Sequence, residues 1–141
     1  LRWIARQPMQ GRRVLDYGCG SGILAIGAAL HGAPRPDAVD IDPAAVAATQ
    51  ANAQANGVQV HAGLPGLEQG RYDVVLANIL ASPLKVLAPL LCEHVAAGGS
   101  LVLAGVLERQ LQELQQAYAP WLPLQAADVQ EGWVLLTAQR A

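Results

Sequence analysis

The chain has 141 residues, 52% of them hydrophobic and only 14% charged, and a formal net charge of −2. This composition excludes a disordered chain, and its 14 glycines and 9 prolines lack the periodicity of collagen-like or low-complexity sequence. A single lysine leaves no basic footprint for nonspecific nucleic-acid binding, and Pro83 and Lys85 interrupt the longest apolar run well short of a membrane span.

The opening residues, Leu1 to Arg6, read as the interior of a helix without a start signal, so a longer parent chain is expected. Arg2, Arg6, Arg12 and Arg13 read as a solvated face. Residues 14–17 form a short buried strand, followed by the turn Gly18-Cys19-Gly20-Ser21-Gly22 and an apolar helix over 23–30 with Gly32 as its stop. A second strand covers 38–41. Asp42-Pro43 then gives a helix N-cap with proline at the first helical position, and Asn56-Gly57 closes that helix. Strands follow at 58–61 and 72–77. Ser82-Pro83 opens a helix running to about residue 97, ended by Gly98-Gly99, and a fifth strand covers 100–106. Leu107, Leu111, Leu114 and Tyr118 share the next helix face, which Pro120 and Pro123 terminate. Residues 124–129 and 133–137 form a closing antiparallel hairpin. Alternating strands and helices imply an α/β fold with a mostly parallel sheet and right-handed crossovers.

In such a sheet ligands bind beyond the carboxyl ends of the strands. Asp16-Tyr17-Gly18-Cys19-Gly20-Ser21-Gly22 occupies the first of these ends, and its glycines allow close backbone approach at a helix N-terminus. Asp40 follows at the spacing from which a strand-end acid reaches ribose hydroxyls, whereas Asp42, before Pro43, is explained by capping. A nicotinamide fingerprint would need glycine where Ile23 stands. Asp16, so near the turn, would repel a pyrophosphate but suits a cationic cofactor, and S-adenosylmethionine carries both a sulfonium and an ammonium group. The alternative is a turn of purely structural purpose.

The run Val14-Leu15-Asp16-Tyr17-Gly18-Cys19-Gly20-Ser21-Gly22-Ile23-Leu24-Ala25-Ile26 resembles class I methyltransferases. Asp40-Ile41-Asp42-Pro43, Ala77-Asn78-Ile79-Leu80-Ala81 with Pro83-Leu84, and Glu131-Gly132-Trp133 narrow the resemblance to the PrmA-type bacterial ribosomal protein methyltransferases. The resemblance covers residues 1–141, which read as one S-adenosylmethionine-dependent methyltransferase domain. It implies a three-layer Rossmann-like fold whose seven-stranded sheet has one antiparallel strand. It also implies methylation of lysine and N-terminal amino groups on a large-subunit ribosomal protein. Cofactor-binding positions carry over to Gly18, Asp40 and Asn78, with Asp16 and Gly20 beside them in the same motif. A substrate-gripping domain and a Gly/Thr-rich loop would precede Leu1.

Methyl transfer to an amine requires a free lone pair, so a lysine must be held neutral. Asn78 suits a catalytic role because its carbonyl can accept a hydrogen bond without adding a charge that would hold the ammonium form. Its alternative role is to tie down a turn. No general base is evident. His31, His61 and His94 lack metal spacing and an acid partner in sequence, and no metal site is expected. Cys19 reads as a small turn residue, while Trp121 and Trp133 read as core or sheet cover. Cys19 and Cys92 form no disulfide framework, and no secretory signal is readable, so a cytoplasmic protein without membrane or direct nucleic-acid contacts is expected. The rival readings are a methyltransferase of the same fold acting on RNA or a small molecule, and a nucleotide-binding module without chemistry.

Overall fold

Apolar runs too short for helices alternate with capped helical segments, and the computed structural model, which describes all of residues 1–141, resolves them into seven strands and six α-helices. The strands form one mostly parallel sheet in the spatial order 61–63, 37–39, 14–17, 72–78, 95–107, 133–139 and 125–130, and the chain divides into two units, 1–72 and 73–141.

The first unit contains α1 (Arg2–Ala5), β1 (Val14–Tyr17), α2 (Ile23–Leu30), β2 (Asp37–Val39), α3 (Pro43–Ala55) and β3 (His61–Gly63). All four residues of β1 are buried. β1 runs parallel to β2, with Tyr17 opposite Val39, and β2 runs parallel to β3, with Val39 opposite Gly63. Asp42 caps α3 as its sequence suggests, accepting from the Ala44 N–H at 2.9 Å, with Pro43 at the first helical position. At the other end the Gly57 N–H donates to Gln54 and the Val58 N–H to Ala53, a Schellman closure with Gly57 at φ +67°.

That closure explains one shift from expectation. Val58 is held by the helix it follows, so β3 begins at His61 and not at residue 58. β2 likewise stops at Val39, because the Asp40 side chain accepts from the Asp42 N–H and turns the chain away, leaving Ile41 exposed. His61 also has a partner that its neighbours in sequence do not reveal. Its Nδ1 lies 3.2 Å from Asp37 Oδ1, and the Tyr72 hydroxyl donates to Asp37 Oδ2 at 2.6 Å. Arg13 is no loose solvated cation. It donates to the carbonyls of Arg71 and Gln69 and lies 4.3 Å from the centre of the Tyr72 ring.

The second unit takes up β4 (Tyr72–Asn78) from its second residue, then α4 (Ala81–Val86), α5 (Ala88–Glu93), β5 (Val95–Leu107), a 3-10 turn (Glu108–Gln110), α6 (Leu111–Tyr118), β6 (Gln125–Gln130) and β7 (Trp133–Gln139). The single helix expected from residue 82 to about 97 is in fact two. Pro89 lacks an N–H and its ring opposes the carbonyl four residues back, so the helix breaks at Leu87. The Gly98-Gly99 pair does not end a helix. It belongs to β5, where the Gly98 N–H donates to Arg140 and Gly99 accepts from the Arg140 N–H. β7 is antiparallel to both β5 and β6, which makes it the one reversed strand. The hairpin turns through Glu131 and Gly132, both at positive φ, a two-residue turn whose twist matches the strands. Trp121 and Trp133 are about half exposed and do not serve as core.

Leu84, Leu91, Leu101, Leu103, Leu114 and Tyr118 form the buried heart of this unit. The Tyr118 hydroxyl, also buried, donates to the Leu84 carbonyl at 2.6 Å, and burial pushes its pKa upward. Tyr118→Phe is therefore expected to lower stability by about 1 kcal/mol, read from urea unfolding, without changing the slope of the transition.

Candidate functional site

At the carboxyl end of β1 the backbone must reverse from a buried strand into α2 within five residues. Gly18, Gly20 and Gly22 make this possible at φ +78°, +57° and +86°. The Gly18 and Cys19 N–H groups donate to the Val39 carbonyl at 2.7 and 3.0 Å, and the Gly22 N–H donates to Cys19. Much of the turn's donor capacity is thus spent internally. What it presents to a ligand is a rigid backbone surface, and a Cβ at Gly20 would meet no atom within 4 Å.

Three side chains from distant sequence hold that turn. Asp40 Oδ2 accepts from the Gly20 N–H at 3.0 Å, while its Oδ1 accepts from the Asp42 N–H at 2.9 Å. The Thr49 hydroxyl, on α3 and fully buried, donates to the Gly20 carbonyl at 3.0 Å and lies 3.3 Å from Cys19 Sγ. Asn52, one turn further, donates to the Ser21 carbonyl at 2.9 Å. Cys19 is buried among these groups, and burial raises its thiol pKa, as expected of a packing residue and not of a nucleophile.

Asp16 lies beneath the turn at 1% exposure. Its Oδ2 accepts from the Ala25 N–H at 3.1 Å, supplying to α2 the cap that Gly22 cannot. Its Oδ1 is buried and has no hydrogen-bond partner. Burial, opposed by the Ala25 hydrogen bond and reinforced by the Asp40 charge, pushes its pKa up to about 7. A buried acceptor with nothing to accept from, beside a second carboxylate, fits a ligand that brings positive charge or hydrogen-bond donors.

Asp16, Gly18, Gly20 and Asp40 are therefore assembled in one place. Thr49 and Asn52 were not anticipated, although two polar side chains three apart in the alanine-rich run 43–55 are a usable signal. Asn78, in the second unit, is the last residue of β4 and is exposed. Gly105 of β5 lies against it, since a Cβ built on Gly105 would come within 2.8 Å of Asn78 Oδ1. No group of three or more His, Cys, Asp or Glu side chains is arranged to hold a metal, and no helix is long and apolar enough to cross a membrane.

This geometry can be set beside known proteins. The profile of the ribosomal protein L11 methyltransferase (PrmA) family matches residues 1–141, the whole chain. The chain belongs to that family. The ribosomal protein L11 methyltransferase of Polaromonas sp. is 64% identical over 142 residues, covering 99% of this chain and 48% of the relative. That of Thiobacillus denitrificans is 54% identical over 137 residues, with 96% and 46% covered. The chain thus spans about half the length of the curated relatives it matches. Among solved structures, the ribosomal protein L11 methylase of Lactobacillus delbrueckii subsp. bulgaricus superposes with a TM-score of 0.89 at 32% identity, over 97% of this chain and 74% of that one. A 16S rRNA N2 G1207 methyltransferase from T. Thermophilus, solved with AdoMet and guanosine, shares the fold with a TM-score of 0.79 at 22% identity, over 94% and 38%. The fold of this PrmA-family chain is that of the Rossmann-like methyltransferases.

The raised pKa of Asp16 makes a PrmA-family turn pH-sensitive in a defined direction. Between about pH 4 and pH 7 the folded protein keeps a proton that the unfolded chain has lost, so stability falls as pH rises through that window. Asp16→Asn is expected to flatten this slope by roughly 2–4 kcal/mol over the window, measured by denaturant unfolding without ligand at several pH values. An unchanged slope would mean that Asp16 is ionised throughout.

Proposed function

We propose that this chain is the catalytic part of an S-adenosylmethionine-dependent methyltransferase that modifies lysine and N-terminal amino groups of ribosomal protein L11. The observation that carries the reading is the Asp40 carboxylate, placed at the end of β2 and bonded to the Gly20 amide of the turn. Membership of the PrmA family supplies the substrate class. When bound, the cofactor supplies a methyl group on a sulfonium, activated for in-line displacement.

The chain's own residues provide position and charge. Asp40 accepts from ribose hydroxyls with the lone pairs that its two backbone bonds leave free. Gly18 and Gly20 let the cofactor approach the backbone closely. Asp16 contributes negative potential from beneath the turn, and a cation there favours its ionised form. Asn78 accepts from the incoming amine or from the cofactor through a neutral carbonyl, which adds no charge that would hold the ammonium form that cannot react. The proton is left to water. The half-length coverage supports a further domain of the parent chain, which grips L11 and brings the amine to the methyl group. A cytoplasmic location follows from a ribosomal substrate.

Calorimetry with S-adenosylmethionine, S-adenosylhomocysteine and NAD tests the cofactor assignment. The first two should bind and NAD should not. Binding of NAD alone would overturn the reading. Asp40→Ala is expected to weaken cofactor binding by about 1.5–3 kcal/mol. Asp42→Ala should instead cost about 1 kcal/mol of stability through loss of the α3 cap and leave affinity nearly intact. The reverse pattern would exchange their roles.

In the full-length enzyme, Asn78→Ala is expected to reduce methyl transfer to L11 by tenfold or more while circular dichroism stays unchanged, about 1.4 kcal/mol of lost transition-state stabilisation. Asn78→Asp should not restore it, because a carboxylate favours the ammonium form. Near-normal turnover of both variants would leave Asn78 with only a turn role.

A further inference from the structure

Gly105 is unlike the other glycines of the second unit. Between Leu103 and Val106 the β5–β7 register slips. Leu103 stands opposite Leu136 and Val106 opposite Val134, so β5 advances three residues while β7 advances two. The extra residue makes a β-bulge, and Gly105 occupies it at φ +82°, a conformation that side chains rarely adopt. The bulge brings the β5 backbone against the end of β4. A Cβ on Gly105 would lie 2.8 Å from Asn78 Oδ1 and 3.0 Å from the Ile79 carbonyl oxygen, both well inside ordinary contact distance. Gly98 and Gly132 also have positive φ, but a Cβ at either would meet nothing within 4 Å.

We propose that Gly105 is a positioning residue for methyl transfer, its missing side chain leaving the space in which the Asn78 amide and the Ile79 carbonyl take their places. This rests on the first of the two roles proposed for Asn78, acceptance from the incoming amine. Bulges re-aim side chains beside active sites, and here the strand that bends is not the strand that bears the functional group. Any side chain at 105 displaces the Asn78 carbonyl, which is half of that amide's hydrogen-bonding capacity. Gly105 touches neither cofactor nor substrate in this role. It acts through Asn78.

The test is a double-mutant cycle in the full-length enzyme, with kcat and KM for L11, cofactor affinity and circular dichroism measured for each protein. Gly105→Ala is expected to lower kcat at least tenfold, leaving KM and cofactor affinity within about threefold. Gly105→Asn separates backbone strain from obstruction, because asparagine tolerates left-handed backbone yet restores the Cβ; it should lose kcat to a similar degree. In an Asn78→Ala background, Gly105→Ala should cost clearly less than it does alone, since the Asn78 side chain is gone and only the Ile79 carbonyl is left to disturb. Multiplicative losses would overturn the proposal, as would normal turnover in a folded Gly105→Ala enzyme whose Asn78→Ala counterpart is impaired. Near-normal turnover of Asn78→Ala would instead overturn the reading of Asn78 and this role with it. Should neither Gly105 variant fold, and Asn78→Ala not restore the fold, Gly105 serves the bulge alone and the proposal fails.

Discussion

A carboxylate buried at the end of a strand governs the first unit. α2 must start immediately after a glycine turn, and Gly22, at its N-cap position, has no side chain to offer. Asp16 provides the missing acceptor through the Ala25 N–H, from inside the sheet. Gly22 cannot be exchanged for a capping residue, because its φ is +86° and a Cβ there would lie 2.7 Å from Thr49 Cγ2. The same Thr49 holds the Gly20 carbonyl, and Asp40 holds the Gly20 N–H. Both polar groups of one peptide position are thus clamped by side chains at least twenty residues away. With both groups clamped, the turn would have little conformational entropy to lose on binding the proposed cofactor. The disadvantage is electrostatic. Asp16 keeps one buried oxygen without a partner, and burial, with a smaller contribution from the Asp40 charge, raises its pKa.

The parts of this fold that were readable from sequence are those specified by local chemistry. Asp42-Pro43 and Asn56-Gly57 mark the two ends of α3 because capping involves only neighbouring residues. β1 and α2 were legible because a short apolar run followed by glycines admits few conformations. Errors arose where two local signals competed. Val58 to His61 has the composition of a strand, but the Schellman closure captures Val58 first. Residues 82–97 have the periodicity of one helix, and Pro89 outweighs it. Trp121 and Trp133 read as core or sheet cover from residue type, and of these the core reading fails, since both are about half exposed, Trp133 on the closing hairpin and Trp121 before it.

The site divides in the same way. Glycines, Asp16 and Asp40 announce themselves through spacing along the chain. Thr49 and Gly105 do not, since each meets its partner across about 30 residues of intervening chain. Thr49 left a trace as a polar, β-branched residue in an alanine-rich helix, where its presence reduces helix propensity and therefore calls for a tertiary reason. Gly105 left less, because glycine in a strand can mark any bulge. What distinguishes it is the identity of the neighbour that a side chain would strike, and only the folded backbone supplies that.

Amine methylation makes opposite electrostatic demands on cofactor and acceptor. A sulfonium with an ammonium group is held well by carboxylates, and the first unit places Asp16 and Asp40 around its glycine turn. The acceptor must shed a proton to react, and a carboxylate beside it would raise its pKa. The end of β4 presents a neutral amide, Asn78, followed by the apolar residues Ile79 and Leu80, which suits the acceptor side of the proposed reaction. If Asn78 receives the amine as proposed, it orients it as a neutral acceptor, through geometry and not through charge. A neutral acceptor steers through the angle of its carbonyl, and on the proposed reading the glycine bulge serves by leaving that carbonyl its space.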